Sequence, residues 1–197
     1  MKKSELLNKL KVECENCTKC NLYKSRVNIV FSDGNPDCAK CILIGEAPGA
    51  NEDLTGKPFV GRAGKLLDEF LNIAGISREN DLYIINTIKC RPPENRIPHD
   101  SEKSECRRFL DEQIKIVNPD IIILCGSTAL KSFYTVKTSI SKIRGKWLNI
   151  RVCGKNYPAM AIFHPSYLLR NHSMEKGSPR QLMIEDLKNI HDIMSNI

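Results

Sequence analysis

Cysteine is the residue type that most directly suggests chemistry in this sequence. The chain contains nine cysteines among 197 residues, a high number for a protein that we expect to remain in the cytosol. Disulfide bonds are disfavoured in that compartment, so several of these thiols are predicted to bind a metal or an iron–sulfur cluster. Because the number is odd, at least one cysteine stays outside any scheme that uses them in pairs.

Two sets of four cysteines have spacings that suit a metal centre. The first has the C-x2-C-x17-C-x2-C spacing of a zinc ribbon and consists of Cys17, Cys20, Cys38 and Cys41. The second combines the same C-x2-C pair with two distant cysteines, as a [4Fe–4S] cluster allows, and consists of Cys17, Cys20, Cys90 and Cys106. Cys41 opens an apolar run, where a small buried thiol is ordinary, and this favours the second set. Spacing alone leaves both sets open.

A glycine-rich loop with carboxylates follows that apolar run. Residues 45–49 read Gly-Glu-Ala-Pro-Gly, and Glu52 comes three positions later. Glycines allow a tight turn and a close approach of the backbone to a ligand. Glu46 and Glu52 could hold a water molecule or stabilise a positive charge, although a turn with solvated acids has the same composition.

Three further side chains suggest a binding pocket. Phe59 lies in a glycine-rich loop and could stack on a nucleobase, or it could simply anchor the loop in the core. Asn86 ends an apolar segment, where its amide could read a ligand edge or cap the strand backbone. His164 follows another apolar segment and could donate a hydrogen bond to developing negative charge, or it could be structural.

The elements that must position these residues alternate between strands and helices. Buried strands are predicted at 41–45, 82–88, 120–124 and 158–163, and helices at 4–13, 64–75, 101–117, 127–134 and 180–195. This order predicts an α/β fold with a mostly parallel sheet covered by helices on both faces. Ligands bind beyond the carboxyl ends of the strands in such sheets, and the polar loop residues concentrate there.

The charge of the chain suits an anionic partner. The formal net charge is +7 and the isoelectric point is near 8.9. Phosphate neutralisation supplies most non-specific affinity for nucleic acid. Leu168, Leu169 and Arg170 together resemble an apolar wedge followed by a phosphate-binding cation.

The hydropathy of the sequence predicts a protein that is not embedded in a membrane. No stretch approaches eighteen consecutive apolar residues, and the first residues lack the apolar stretch of a signal peptide. We therefore expect a cytoplasmic protein, and since no self-association segment stands out, a monomer.

Six motifs, in order along almost the whole chain, resemble those of family 4 uracil-DNA glycosylases. They are Cys17-x2-Cys20 with Leu22, Gly-Glu-Ala-Pro-Gly at 45–49, Gly-Lys-Pro-Phe-Val-Gly-Arg-Ala-Gly at 56–64, Asn-Thr-Ile-Lys-Cys-Arg-Pro-Pro-Glu-Asn-Arg at 86–96, Arg-Gly-Lys-Trp at 144–147 and His-Pro-Ser-Tyr-Leu-Leu-Arg at 164–170. The resemblance implies a single domain over 1–197, a three-layer α/β/α sandwich around a four-stranded, mostly parallel sheet. It also implies base-excision repair of uracil-containing DNA, single- or double-stranded, by hydrolysis of the N-glycosidic bond.

The resemblance also implies roles for individual residues. The ligands of a structural [4Fe–4S] cluster fall on Cys17, Cys20, Cys90 and Cys106, so that the cluster ties the N-terminal segment 1–41 to the body and supports the DNA-binding region. Phe59 takes the base-stacking position, Asn86 reads the uracil edge and His164 faces uracil O2. Glu46 and Glu52 take the acidic positions near the attacked carbon. The DNA-facing residues are Arg91, Leu168, Leu169 and Arg170.

Departures from the family pattern leave some roles open. In family 1 enzymes the water-activating Asp falls at the position of Ala47, a substrate-binding position in this chain. The pair Cys38 and Cys41 lies outside the family pattern. Relatives that crosslink to DNA carry a Lys-Arg-Arg-Ile-His insertion near the Arg-Pro-Pro loop, and its absence predicts turnover rather than covalent trapping.

Two other classes of protein fit parts of the sequence. A non-catalytic nucleic-acid-binding module would hold zinc through Cys17, Cys20, Cys38 and Cys41. An iron–sulfur electron-transfer or redox-sensing protein would need neither Asn86 nor His164. The presence of candidate ligand-binding residues such as Asn86 and His164 at strand ends argues against both of these classes.

Overall fold

A twisted sheet of five strands forms the centre of the protein in a computed structural model that describes residues 2–134 and 139–197. The strands are β1 (Cys41–Gly45), β2 (Leu82–Asn86), β3 (Ile121–Cys125), β4 (Trp147–Val152) and β5 (Lys155–Ile162). Their order across the sheet is β2-β1-β3-β5-β4. All neighbouring pairs run parallel except β4 and β5. The predicted α/β class and mostly parallel sheet are confirmed.

The number of strands differs from the expected four because β4 adds an antiparallel edge. Along β4 exposed and buried residues alternate, so it lacks the continuous apolar run that marks β1 and β3. A two-residue turn joins β4 to β5, and both turn residues are left-handed, with φ of 47° at Cys153 and 84° at Gly154. Paired positive φ values of this kind match the twist of a tight hairpin.

The helices form two layers on the two faces of the sheet. They are α1 (Lys3–Glu15), α2 (Ala50–Thr55), α3 (Arg62–Ala74), α4 (Asp100–Val117), α5 (Ser127–Lys131), α6 (Ile140–Ile143), α7 (Pro165–Leu168) and α8 (Pro179–Ser195). The apolar side chains of α1, α4 and α5 pack with one face of the sheet, and those of α3, α7 and α8 pack with the other. The three-layer sandwich is therefore as predicted.

Strands β1, β2 and β3 are almost entirely apolar because both of their faces are covered, although β2 is an edge strand of the sheet and ends in Asn86. Every residue of β1, β2 and β3 is buried. Burial on both sides is typical of parallel strands between helical layers. None of the helices within 2–134 and 139–197 has the length and apolarity needed to cross a membrane.

The N-terminal segment is held against the body by polar contacts as well as packing. Helix α1 packs on α4. The buried carboxylate of Asp53 accepts hydrogen bonds from the main-chain N–H groups of Val27 and Asn28. Further along, Asp33 forms an antiparallel bridge with Ile84 of β2. These contacts fix the segment between the cysteine-rich turn and the sheet.

Candidate active site

A cavity of about 350 Å³ opens where the parallel strands end. Its walls are formed by Ala47, Gly49, Glu52, Phe59, Ala63, Gly64, Asn86, Asn95, His164 and Ser166. The segment after β1 contributes Ala47, the end of β2 contributes Asn86, and the segment after β5 contributes His164. This is the edge at which parallel α/β sheets bind ligands. The fold thus brings together five of the residues singled out from the sequence.

Phe59 is held in an unusual backbone conformation beside this cavity. Its side chain is buried, and its φ of 53° is left-handed, which is rare for a residue with a bulky side chain. The neighbouring backbone leaves no room for larger residues. A Cβ atom on Gly64 would lie 1.9 Å from the Phe59 carbonyl oxygen, and one on Gly45 would lie 2.6 Å from the Phe59 ring. Glycine at both places lets the ring lie over the end of β1.

The side-chain amide of Asn86 faces the cavity without a partner among the described residues. Asn86 is 2% exposed. Its main-chain oxygen accepts a hydrogen bond from Lys89 Nζ at 2.8 Å. Because the amide lines the cavity and can both donate and accept, the arrangement favours a polar ligand at this position.

His164 presents one defined tautomer to the same cavity. Its Nδ1 accepts a hydrogen bond from the Ser166 main-chain N–H at 3.2 Å and lies 2.8 Å from the Ser166 hydroxyl. The remaining proton of a neutral ring is therefore on Nε2. Burial lowers the pKa of His164 to about 4, against a weaker opposing effect of the Glu52 charge. The ring lies 5.7 Å from the Phe59 ring, between centroids.

The carboxylates of Glu46 and Glu52 have different hydrogen-bond partners. Glu52 accepts three main-chain hydrogen bonds, from Val60 at 2.9 Å, Gly61 at 2.7 Å and Gly49 at 3.1 Å. Its carboxylate therefore ties the loop after β1 to the loop before α3. Since both of its oxygens already accept main-chain N–H groups, it is a poorer candidate than Glu46 for holding a water.

Glu46 is fixed by hydroxyl groups from two other strand ends. Its carboxylate accepts a hydrogen bond from the Thr128 hydroxyl, and its main-chain oxygen accepts one from the Thr87 hydroxyl at 2.5 Å. One carboxylate oxygen is left without a partner in the part of the chain that the structure describes. Glu46 is not among the residues that form the cavity walls, although the adjacent Ala47 is.

The segment after His164 differs from the expected row of DNA-facing side chains. Leu168 is completely buried in the core between α3, α8 and the sheet. Leu169 is half-buried and Arg170 is exposed. The exposed aromatic of this short helix is Tyr167, whose ring packs against Phe163. Helical spacing turns Leu168 inward and leaves its neighbours at the surface.

Arg91 lies in a second loop that borders the cavity. Its Nε donates a hydrogen bond to Asn95 Oδ1 at 2.8 Å. Asn95 and the preceding Glu94 are both left-handed, with φ of 56° and 55°. Arg96 then pairs with the carboxylate of Glu102, which fixes the end of the loop on α4. Asn95 is thereby held at the cavity wall.

A second cavity gathers the cysteines. Its walls include the four predicted cluster ligands together with a fifth cysteine, namely Cys14, Cys17, Cys20, Cys90 and Cys106. Three basic groups and one acidic group also line it, namely Lys19, Arg26, Lys89 and Glu105. The Arg26 guanidinium donates to Cys90 Sγ at 3.2 Å and to the Cys17 carbonyl oxygen at 3.2 Å. Within 2–134 and 139–197, no three His, Cys, Asp or Glu side chains are placed to hold a single metal ion.

The zinc-ribbon set is not assembled. Cys41 is buried on the other face of the sheet, where its Sγ contacts Met194 Sδ at 3.0 Å. Cys38 is exposed and Asn35 donates to its Sγ. Cys17 and Cys20 pack instead with the opposite core. The zinc-binding interpretation of the C-x2-C pairs is therefore wrong.

Burial strongly affects the ionisable groups of the cysteine cavity. It raises the pKa of Cys14 to about 12 and that of Cys106 to about 11. Burial also lowers the pKa of Lys89 to about 8, partly offset by the neighbouring cysteines. Binding of a metal or cluster would reverse this preference for thiols, because the ligand form of cysteine is the thiolate.

Fold and cavity together define an α/β enzyme whose pocket can hold a planar polar ring between Phe59, an amide and a neutral histidine. The model of the uracil DNA glycosylase superfamily matches residues 31–188. The type-4 uracil-DNA glycosylase of Thermotoga maritima is 46% identical over 190 residues, covering 94% of this chain and 93% of its own. Those of Archaeoglobus fulgidus and Saccharolobus solfataricus are each 40% identical, covering 84% and 93% of this chain and 84% of their own.

The chain belongs to the uracil DNA glycosylase superfamily, and its relatives place it in the type-4 group. The resemblance and the enzyme class predicted from the motifs are both confirmed.

Several residues of the site escaped the sequence analysis. They are Thr87, Thr128, Lys89, Asn95, Ser166 and Arg78, whose guanidinium donates a hydrogen bond to the Phe59 carbonyl oxygen. Ser166 could have been found, because a serine two residues after a helix-capping histidine is placed to bond its ring. Nothing in the local sequence around Arg78 or Thr128 indicates their contacts, which join segments far apart in the chain.

Proposed function

We propose that the protein excises uracil from DNA by hydrolysing the N-glycosidic bond, releasing free uracil and leaving an abasic site. One observation carries the proposal: the Asn86 amide and the Nε2–H of His164 border one cavity beside the Phe59 ring, and neither has a partner among the described residues. Family membership agrees with this reading of the cavity.

Asn86 would select the base. An amide can donate to uracil O4 and accept from uracil N3–H at the same time. Cytosine presents the opposite pattern of donor and acceptor, which would leave the buried amide of Asn86 unpaired. Sites built on such hydrogen bonds reject the wrong substrate strongly. Phe59 would stack on the ring, and Ala47 would lie alongside it.

His164 would stabilise the leaving group. Cleavage places negative charge on the uracil ring, and the Nε2–H of a neutral His164 would donate to O2 as that charge develops. Loss of one such preorganised donor costs about 10²–10³ in rate. The low pKa of His164 supports the role of a neutral donor, because the ring keeps one fixed proton throughout the physiological range.

Glu46 would hold the attacking water and stabilise the cationic sugar. The free oxygen of its carboxylate supports this role, and the Thr128 hydroxyl would orient the group. Glu52 would act mainly through the loops that it joins. The nearby Ala47 supplies no group that could activate water, which leaves the task to the carboxylates.

The DNA would lie across the mouth of the cavity with the target nucleotide rotated out of the stack, at a cost of a few kcal/mol. Arg170 and Arg91 would contact phosphates, while Leu169, with the exposed Tyr167 beside it, would fill the vacated space. Leu168 would support this segment from the core. Uracil-containing DNA is thus the proposed partner, and a monomer is the proposed form.

The cysteine cavity would hold a [4Fe–4S] cluster through Cys17, Cys20, Cys90 and Cys106. Three basic groups against one carboxylate in its wall fit an anionic occupant, and Lys89 makes no ion pair within the described residues. A cluster also separates its ligands more than a single ion does, in agreement with the lack of a compact single-ion site. Bound there, it would supply a structural crosslink between the N-terminal segment, the end of β2 and α4.

The test is release of uracil from an oligonucleotide with a single uracil, with iron and zinc quantified in each preparation. We expect excision by the wild type, a loss of about a hundredfold or more in His164→Ala and about four irons per chain in both. The matched control is His172→Ala, since His172 is exposed and contacts Arg180 outside the cavity. An iron-loaded, folded wild type without excision would instead support the redox function, and a folded wild type without iron would contradict the proposed cluster.

A further inference from the structure

Lys89 is a completely buried lysine between the cysteine cavity and the uracil-reading strand end. Its side chain is 0% exposed, and its Nζ donates to the Asn86 main-chain oxygen at 2.8 Å. Its own main-chain oxygen accepts a hydrogen bond from the Val30 N–H at 2.8 Å. Lys89 also lines the cavity of the predicted cluster ligands.

The charge of this lysine has no counterpart in the protein part of the site. Among residues 2–134 and 139–197, no carboxylate forms an ion pair with Lys89. The side chains of Cys14, Cys90 and Cys106 line the same cavity as Lys89. A buried ammonium group is expensive unless an opposite charge and hydrogen bonds compensate it. An anionic group bound by the cysteines would supply this compensation, since Lys89 lines their cavity.

We propose that Lys89 is a positioning residue that links the cluster to the uracil pocket. Its ammonium is neutralised by the anionic cluster on one side and holds the Asn86 carbonyl on the other, so that the cluster sets the position of the amide that reads uracil. The inference rests on the proposed function, because it assumes both the cluster and the role of Asn86.

Two consequences distinguish this role from simple packing. A positive charge beside the cluster favours the reduced, more negative state, so its removal shifts the reduction potential to a more negative value. Removal of the hydrogen bond to Asn86 loosens the end of β2, so the binding of uracil weakens while the chemistry at His164 is less affected. A packing role alone predicts neither change.

The experiment compares wild type with Lys89→Met, which keeps the length and apolar stem of the side chain but removes the ammonium. The matched control is Lys19→Met, because Lys19 lines the same cavity but is exposed, and solvent screens its charge. We measure iron content, the reduction potential of the cluster, and the inhibition constant of free uracil in the excision assay.

We expect Lys89→Met to retain the iron, to shift the potential to a more negative value and to raise the inhibition constant of uracil about tenfold. Lys19→Met should give a much smaller potential shift and an unchanged inhibition constant. An iron-loaded Lys89→Met protein with the wild-type potential, or with the wild-type affinity for uracil, overturns the inference while leaving the proposed function intact. A wild type without iron or without excision contradicts the proposed function instead.

If Lys89→Met does not fold, an experimental structure of the iron-loaded wild type provides the second measurement. The inference requires Nζ to bond the Asn86 oxygen and to face the cluster with no nearer anion. A lysine turned away from either group overturns it.

Discussion

The Arg78 guanidinium supports the backbone of Phe59 from outside the cavity. Arg78 Nη1 donates to the Phe59 carbonyl oxygen at 3.2 Å, and Nη2 donates to the Pro58 carbonyl oxygen at 2.7 Å. Asp33 and Asp68 hold the same guanidinium at 3.0 Å and 2.7 Å. The left-handed conformation of Phe59 is thus stabilised by a rigid, multiply bonded cation, since such strain persists only where the surroundings impose it.

Replacing Arg78 should therefore damage the pocket without touching the substrate. A hydrogen bond that involves a charged group contributes about 1.5–3 kcal/mol, so we expect Arg78→Ala to lower kcat/KM by about tenfold to a hundredfold. Steady-state excision kinetics test this, with Arg151→Ala on the exposed β4 edge as the control. Wild-type kinetics in Arg78→Ala would show that Phe59 keeps its conformation unaided.

The low pKa of His164 predicts how activity depends on pH. Because the ring stays neutral down to about pH 4, its contribution should be constant between pH 8 and pH 5. The ratio of single-turnover rates for wild type and His164→Ala should therefore not change over that range. A ratio that falls near pH 6.5 would mean that the ring titrates at its ordinary pKa.

The same pKa predicts a loss of stability in acid. Between about pH 6.5 and 4 the unfolded chain binds a proton at His164 that the folded chain does not, so stability falls as the pH decreases through this window. Denaturation of wild type and His164→Gln across this range measures the effect. The two proteins should diverge toward pH 4, and parallel curves would refute the assignment.

The two glutamates should separate into a catalytic and a structural residue. Glu46→Gln should lower the single-turnover rate on uracil about a hundredfold or more with little change in melting temperature, because the fold does not depend on its free oxygen. Glu52→Gln places an NH₂ group against a main-chain N–H and should cost about 1–3 kcal/mol of stability. Excision rates and thermal melts of both variants show which glutamate is catalytic and which is structural. Two variants with wild-type rates would exclude both carboxylates from the chemistry.

Leu168 and Leu169 should respond to truncation in opposite ways. Leu168→Ala leaves a hole in the core and should destabilise the protein by about 2–5 kcal/mol. Leu169→Ala should leave stability unchanged but reduce excision from double-stranded DNA more than from single-stranded DNA, since only the duplex needs a filled gap. Denaturant unfolding and the ratio of the two activities provide the readouts. A stable Leu168→Ala protein with impaired duplex activity would restore Leu168 as the wedge.

Local patterns in the sequence predict the strands, the family and part of the site. Apolar runs identified β1, β2 and β3, because strands covered on both faces are built mainly from apolar residues. The apolar residues that precede Asn86 and those that precede His164 placed these two side chains at strand ends. The order and spacing of the motifs, including the cysteines, indicated the protein family.

The packing of the folded chain determines which side chains reach the core, which stay at the surface and which contact each other. It turned Leu168 into the core and left Leu169 outside, and it attached the Glu52 carboxylate to two loops. It also placed Arg78 beneath Phe59 and enclosed Lys89 between Asn86 and the cysteines. These relationships join segments that are distant in the chain. They arise from packing and from the requirement that buried polar groups find partners, which no local pattern records.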